Sequence, residues 1–163
     1  MVHVSCHGVA GPSPTRSALS LADGDLTVAR ILDEAAPGPA PGTAGPLVVL
    51  SACETDLSTG DHDEALTLST ALVARGAADV VGSRWAVDDC ATALMMAVLH
   101  HFLAGEGLAP PDALRAAQLW MLDPERRPPP GMAERLCREA HRADLGELPL
   151  WAAFTHQGTP AAR

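Results

Sequence analysis

Leu47-Val48-Val49-Leu50-Ser51-Ala52-Cys53-Glu54-Thr55 is an apolar run that stops abruptly on a cysteine followed by polar residues. Its aliphatic, β-branched character predicts a central strand buried on both faces. A second strand-like segment, Val2-His3-Val4-Ser5-Cys6-His7-Gly8, opens the sequence and ends on His-Gly. In an open parallel sheet, ligands and chemistry sit just beyond the carboxyl ends of the strands. Two such strands side by side would bring His7 and Cys53 to one rim. A thiol beside an imidazole is the minimum equipment for cysteine nucleophilic catalysis.

Outward from that strand, strand-like and helix-like segments alternate, the mark of a parallel α/β sheet. Ser17–Ala22 alternates leucines with small residues and meets the turn signal Asp23-Gly24. Leu26–Ala36 reads as a helix with Ile31 and Leu32 inward, and the Pro/Gly-rich stretch Ala35–Pro46 as a loop. Asp61 or Asp63 can cap a helix running to about Arg75, with Ala65, Leu68 and Leu72 on its apolar stripe and Gly76 ending it. Ala78–Trp85 is another buried strand. Asp88 or Asp89 can cap the long helix in which Ala91, Leu94, Met95, Val98, Leu99 and Phe102 follow helical spacing. Pro111 suits the start of a further helix that buries Leu114, Ala117, Gln118 and Met121. Met132–Arg142 is a weaker, more charged helix, and Leu150–His156 a last extended segment.

Length and composition narrow the possibilities. A chain of 163 residues with 47% apolar residues fits one folded domain with a real core. All eleven basic residues are arginine, which excludes a Walker-type phosphate loop and a Schiff-base lysine. The net charge of −9 argues against nucleic acid; it suits a positively charged substrate, although acidity alone more often only serves solubility. Cysteines stand at 6, 53, 90 and 137 with no C-x-x-C pair, so neither a zinc ribbon nor a redox pair is signalled. No charged segment followed by an apolar run opens the sequence, and Ala91–Leu103 is too short to span a bilayer. A cytoplasmic, reducing setting with free thiols, away from membranes, is the expectation.

On a strand, alternate side chains share a face, so His3, Ser5 and His7 would point one way and Val2, Val4 and Cys6 the other. Gly8 can take a turn forbidden to bulky residues and bring a bare N–H close to a substrate carbonyl. Together with the N–H of Cys53 it would form an oxyanion hole, often the largest electrostatic contribution in acyl transfer. His3, Cys6, His7 and Cys53 are also permissible zinc ligands, but the alternation sets Cys6 on the face opposite His3 and His7. Cys90 and Cys137 read as packing residues on helices. His62, His100, His101, His141 and His156 read as surface or satisfied histidines.

In order, these motifs resemble the CHAT domain, a bacterial caspase-like cysteine peptidase family of the separase and metacaspase clan. The likeness is carried by Val2–Gly8, by Ser17-Ala18-Leu19-Ser20-Leu21-Ala22-Asp23-Gly24, and by Val48–Thr55. It continues through Gly82-Ser83-Arg84-Trp85-Ala86-Val87-Asp88-Asp89, the helix with Ala113-Leu114-Arg115-Ala116-Ala117-Gln118, and Trp151-Ala152-Ala153-Phe154 with Gly158. The spacing of 46 from His7 to Cys53 is close to the roughly 50 of caspases. The resemblance implies a three-layer α/β caspase-like fold with a mainly parallel central sheet over 1–163, with 159–163 as a tail. It implies His7 as general base, Cys53 as nucleophile, and the Gly8 and Cys53 backbone as oxyanion donors. An acidic residue facing the substrate side chain maps to Asp88 or Asp89, with Asp89 favoured; a carboxylate there selects basic side chains. Either aspartate could instead simply cap its helix.

Related domains carry further strands before the His-Gly strand, so the fold expected here lacks the N-terminal strands and its first strand becomes a sheet edge. The function expected is a caspase-like cysteine endopeptidase that acts on protein or peptide substrates and needs no cofactor. Its regulation would come from a helical-repeat protein or a missing N-terminal half. The alternatives are a catalytically inactive interaction module or truncated fragment, and a zinc protein.

Overall fold

The computed structural model describes residues 1–34, 44–52 and 67–158. They fall into two compact units, one holding the described residues from Met1 to Ala86 and from Thr155 to Gly158, the other those from Val87 to Phe154.

In the first unit the chain runs through β1 (Val2–Ser5), β2 (His7–Val9), β3 (Ala18–Leu21), β4 (Gly24–Thr27), α1 (Val28–Asp33), β5 (Leu47–Ser51), α2 (Leu68–Ala74) and β6 (Asp79–Ser83). The late strand β7 (Phe154–Gly158) joins β6, giving a four-stranded sheet in the order β1-β5-β6-β7. β1 pairs with β5, and β5 with β6, in parallel. Among the described residues β1 is thus an edge, as expected. β2, β3 and β4 form a separate antiparallel sheet.

β5 is buried on both faces, as its sequence requires: Val49 and Leu50 have no exposed surface. One face joins a core of Val48, Leu50, Ala52 and Val80 with Leu19, Val28, Ile31, Leu68 and Ala71, against which Val4, Cys6 and Leu32 pack. Parallel strands sandwiched in this way need apolar residues at successive positions rather than alternation.

Several expected boundaries move. The first strand ends at Ser5 rather than Cys6, because the backbone bends at Cys6 and passes to the second sheet. The segment expected to be helical from Leu26 instead gives Leu26 and Thr27 to β4, where pairing with β3 wins over helical spacing. Thr27 then caps α1, its Oγ1 accepting the Arg30 N–H at 3.1 Å. Asp61 and Asp63 lie outside the described residues, and the helix they were expected to cap begins at Leu68 with Thr67 as its cap. Thr67 and Thr70 bond reciprocally: the Thr70 N–H donates to Thr67 Oγ1 at 3.2 Å, and the Thr67 N–H to Thr70 Oγ1 at 2.7 Å. This satisfies two N–H groups that a helix start otherwise leaves unpaired. Thr67→Ala is expected to destabilise the protein by about 1 kcal/mol, read as a lower denaturation midpoint at unchanged m value.

The second unit is helical: α3 (Asp89–His100), α4 (Pro110–Leu122), α5 (Glu134–Glu139) and α6 (Leu148–Trp151). α3 packs against the other three, and a π-helical turn, His101–Gly105, extends it. Ala91, Leu94, Met95, Val98 and Leu99 are buried as their spacing predicts, while Phe102 is only half-buried. Ala113, Leu114, Ala117 and Met121 line the buried face of α4. Gln118 is half-buried, its amide donating to the Phe154 carbonyl at 3.0 Å. α5 is shorter than expected, and Leu150 and Trp151 belong to α6 rather than to the last strand, which begins at Phe154. Among the described residues no helix is long and apolar enough to cross a membrane.

Candidate functional site

The strand register orders the rim. Val2, His3, Val4 and Ser5 pair with Val48, Val49, Leu50 and Ser51, so the ladder runs at a constant offset of 46 residues. That offset equals the sequence separation of His7 and Cys53. The two strands therefore finish level, on Ser5 and Ser51, each two residues before a residue assigned to catalysis. Cys53 itself lies outside the described residues, as does His62.

His7 is exposed and begins β2, opposite Ser20. It stands where the chain leaves the parallel sheet, so the alternation expected from His3 through His7 is broken at Cys6. Gly8, expected to be a turn, is the middle residue of β2 and pairs with Leu19. His3 instead reaches Ser51: its Nε2 lies 2.6 Å from the Ser51 Oγ, which ties the ends of β1 and β5 together.

Ser83 was not singled out in the sequence. It ends β6, is buried, and donates its hydroxyl proton to the Ala52 carbonyl at 2.6 Å. The available signal was that β1, β5 and β6 each finish on serine. Only the fold shows that this hydroxyl reaches the backbone just before Cys53.

The two aspartates separate by role. Asp88 caps α3, its Oδ1 accepting the Ala91 N–H at 2.9 Å, and Arg142 Nη1 lies 2.9 Å from the same oxygen. The Ala91 N–H and then Arg142 hold the Asp88 carboxyl below the usual carboxylate range. Arg142 is forked on Asp144, with Nε and Nη2 at 3.0 and 2.7 Å from its two oxygens, and lies 3.6 Å from Glu139. Its guanidinium is pushed well above its ordinary value by the bonds to Asp144 and Asp88. Asp89 is the first residue of α3 and is exposed.

Cys6, Cys90 and Cys137 are free and half-buried, and burial pushes the Cys6 thiol up, away from reactivity. His156 Nε2 joins β7 to β6 through Asp79 Oδ1 at 2.7 Å. His101 lies 3.4 Å from Glu106, and burial lowers the His100 pKa. His141 is exposed on the segment after α5. Among the described residues no group of three His, Cys, Asp or Glu side chains is placed to hold a metal ion.

A mainly parallel four-stranded sheet in a mixed α/β chain is the architecture of a caspase-like fold. A family model described as CHAT domain matches residues 1–159, and the chain belongs to that family. No curated protein matches the sequence.

Proposed function

We propose that this CHAT domain is a cysteine endopeptidase in which Cys53 is the nucleophile and His7 the proton carrier. The observation that supports it is the common register of β1 and β5, whose offset is the one separating the two residues. Membership of a caspase-like family points the same way. In this reading His7 takes the Cys53 thiol proton, and the thiolate attacks the scissile carbonyl, whose π electron pair moves onto oxygen and is met by the backbone N–H groups of Cys53 and Gly8. The tetrahedral species collapses to a thioester as His7 gives its proton to the leaving amine. His7 then takes a proton from water as the water attacks the thioester, releasing a carboxylic acid and returning the thiol.

The chemistry calls on no cofactor and needs a reducing compartment, here the cytoplasm, to keep the thiol free. The substrate is a protein, and a helical-repeat regulatory protein controls access to it. Asp88 is engaged by its helix and by Arg142, so Asp89 is the carboxylate assigned to a basic substrate side chain.

A second reading, a catalytically silent interaction module, draws support from Gly8, which sits within a paired strand rather than in an open turn. Labelling with iodoacetamide at pH 6 tests the two. An ordinary thiol of pKa about 8.5 is well under 1% ionised there, whereas one activated by an imidazolium is substantially thiolate. Cys53-dependent labelling that disappears in Cys53→Ala and slows in His7→Ala is the expected result. Labelling no faster than that of a simple thiol, and unchanged in both variants, would establish the silent module.

A further inference from the structure

Successive side chains of a strand point to opposite faces of its sheet. Val4 and Leu50, paired across β1 and β5, meet the apolar core, so His3, Ser5 and Ser51 belong to the other face. Ser5 and Ser51 are the last residues of their strands, at the carboxyl rim where chemistry gathers in open parallel sheets. His3 is level with Val49, and its imidazole leans forward along the strand until Nε2 stands 2.6 Å from the Ser51 Oγ. His3 is exposed and Ser51 half-buried, so solvent reaches the pair. An exposed hydrogen bond adds little to two strands already joined through their backbones. The same contact has a chemical meaning: a serine hydroxyl is a poor nucleophile until a base within about 2.6–3.2 Å can take its proton.

We propose that Ser51 and His3 form a serine nucleophile and base that hydrolyse carboxylic esters, an activity separate from peptide cleavage. The pair shares no residue with the peptidase reading and does not depend on it. The Ser51 oxygen attacks the ester carbonyl carbon as its proton passes to His3 Nε2. The carbonyl electron pair moves onto oxygen and returns as the bond to the alkoxide breaks, and the alkoxide takes the proton from His3 and leaves as an alcohol. Water then attacks the acyl-serine and gives a proton to His3; the Ser51 oxygen departs, recovers that proton, and a carboxylic acid is released. Esters are the substrate class because an alkoxide leaves with less help from a general acid than an amine does.

The test uses the full chain with Cys53→Ala in every sample, so that no thiol at that position contributes. Two probes are applied: a fluorophosphonate, from which an activated serine displaces fluoride and keeps the phosphorus, and 4-nitrophenyl acetate. The expected result is probe mass on Ser51, placed by peptide fragmentation, together with release of 4-nitrophenolate. Ser51→Ala is expected to lose both. His3→Gln keeps a side chain able to hydrogen-bond Ser51 but supplies no base, and is expected to slow both reactions about 10²–10⁴-fold at an unchanged Tm. Should Ser51→Ala unfold, the His3→Gln comparison still decides, because there the serine is intact. Ser51 left unmodified, labelled equally fast in His3→Gln, or dispensable for ester hydrolysis overturns the proposal. None of these outcomes touches the peptidase reading, whose nucleophile is absent from every sample.

Discussion

Cys53→Ala is expected to abolish peptide cleavage, and His7→Ala to lower kcat/KM by about 10²–10⁴-fold, the usual contribution of a general acid–base residue. The first variant removes the atom that forms the thioester, so no second residue substitutes for it. The second leaves a thiol that is only slightly ionised at neutral pH and a leaving amine with no proton source. Its residual rate is therefore expected to rise with pH, as hydroxide and the intrinsic ionisation of the thiol take over. The double variant is expected to be no slower than Cys53→Ala alone, because residues that act as one unit are strongly non-additive. Arginyl and aspartyl peptides assayed side by side give the measurement. Arginyl cleavage at parent rates in both single variants would remove Cys53 and His7 from the chemistry.

The strand that leads to Cys53 is legible in the sequence. The run Leu47–Leu50 has no polar face, which only a strand covered on both sides tolerates, and β5 is such a strand. The helical spacing of Leu94, Met95, Val98 and Leu99 was equally plain, because twelve residues give the period three turns in which to show itself. What escaped was short or tertiary. β2 has three residues, too few for a period, and the bend at Cys6 that separates it from β1 has no turn residue to mark it. β4 has the sequence Gly-Asp-Leu-Thr, poor in strand formers, and is held by its pairing with β3 rather than by propensity. Asp88 and Asp89 are adjacent carboxylates that sequence cannot tell apart; Arg142, 54 residues on, distinguishes them. Ser83 was invisible for a like reason: its partner is a backbone carbonyl 31 residues away.

Both ends of β5 are tied to β6, and the amino-terminal tie leads to the largest expected change in stability. Gly45 lies just before the strand, where the backbone passes against the segment linking α2 to β6. There the Ala78 N–H donates to the Pro46 carbonyl at 3.1 Å. A Cβ at position 45 would fall on the Gly76 carbonyl oxygen, well inside contact distance, and 2.9 Å from the Ala78 nitrogen. Both obstacles are backbone, so no rotamer relieves them. Nor can the neighbouring segment easily retreat: Gly76 is already at φ 97°, a conformation open chiefly to glycine. Sliding β5 by one residue is no escape, because that would exchange the side chains of its two packed faces and break its register with β1 and β6. Gly45→Ala is therefore expected to cost about 3 kcal/mol, the upper part of the range for overpacking, and to lower Tm by roughly 6–12 °C. The carboxyl end of β5 is held separately by Ser83 and by the pairing of Ser5 with Ser51. Molecules that do fold should therefore keep the kcat of the parent per titrated active site when assayed well below their Tm. A parent-like Tm would mean that the 76–78 backbone yields to the methyl group. A lower kcat per active site would mean that strain at the start of the strand reaches its catalytic end.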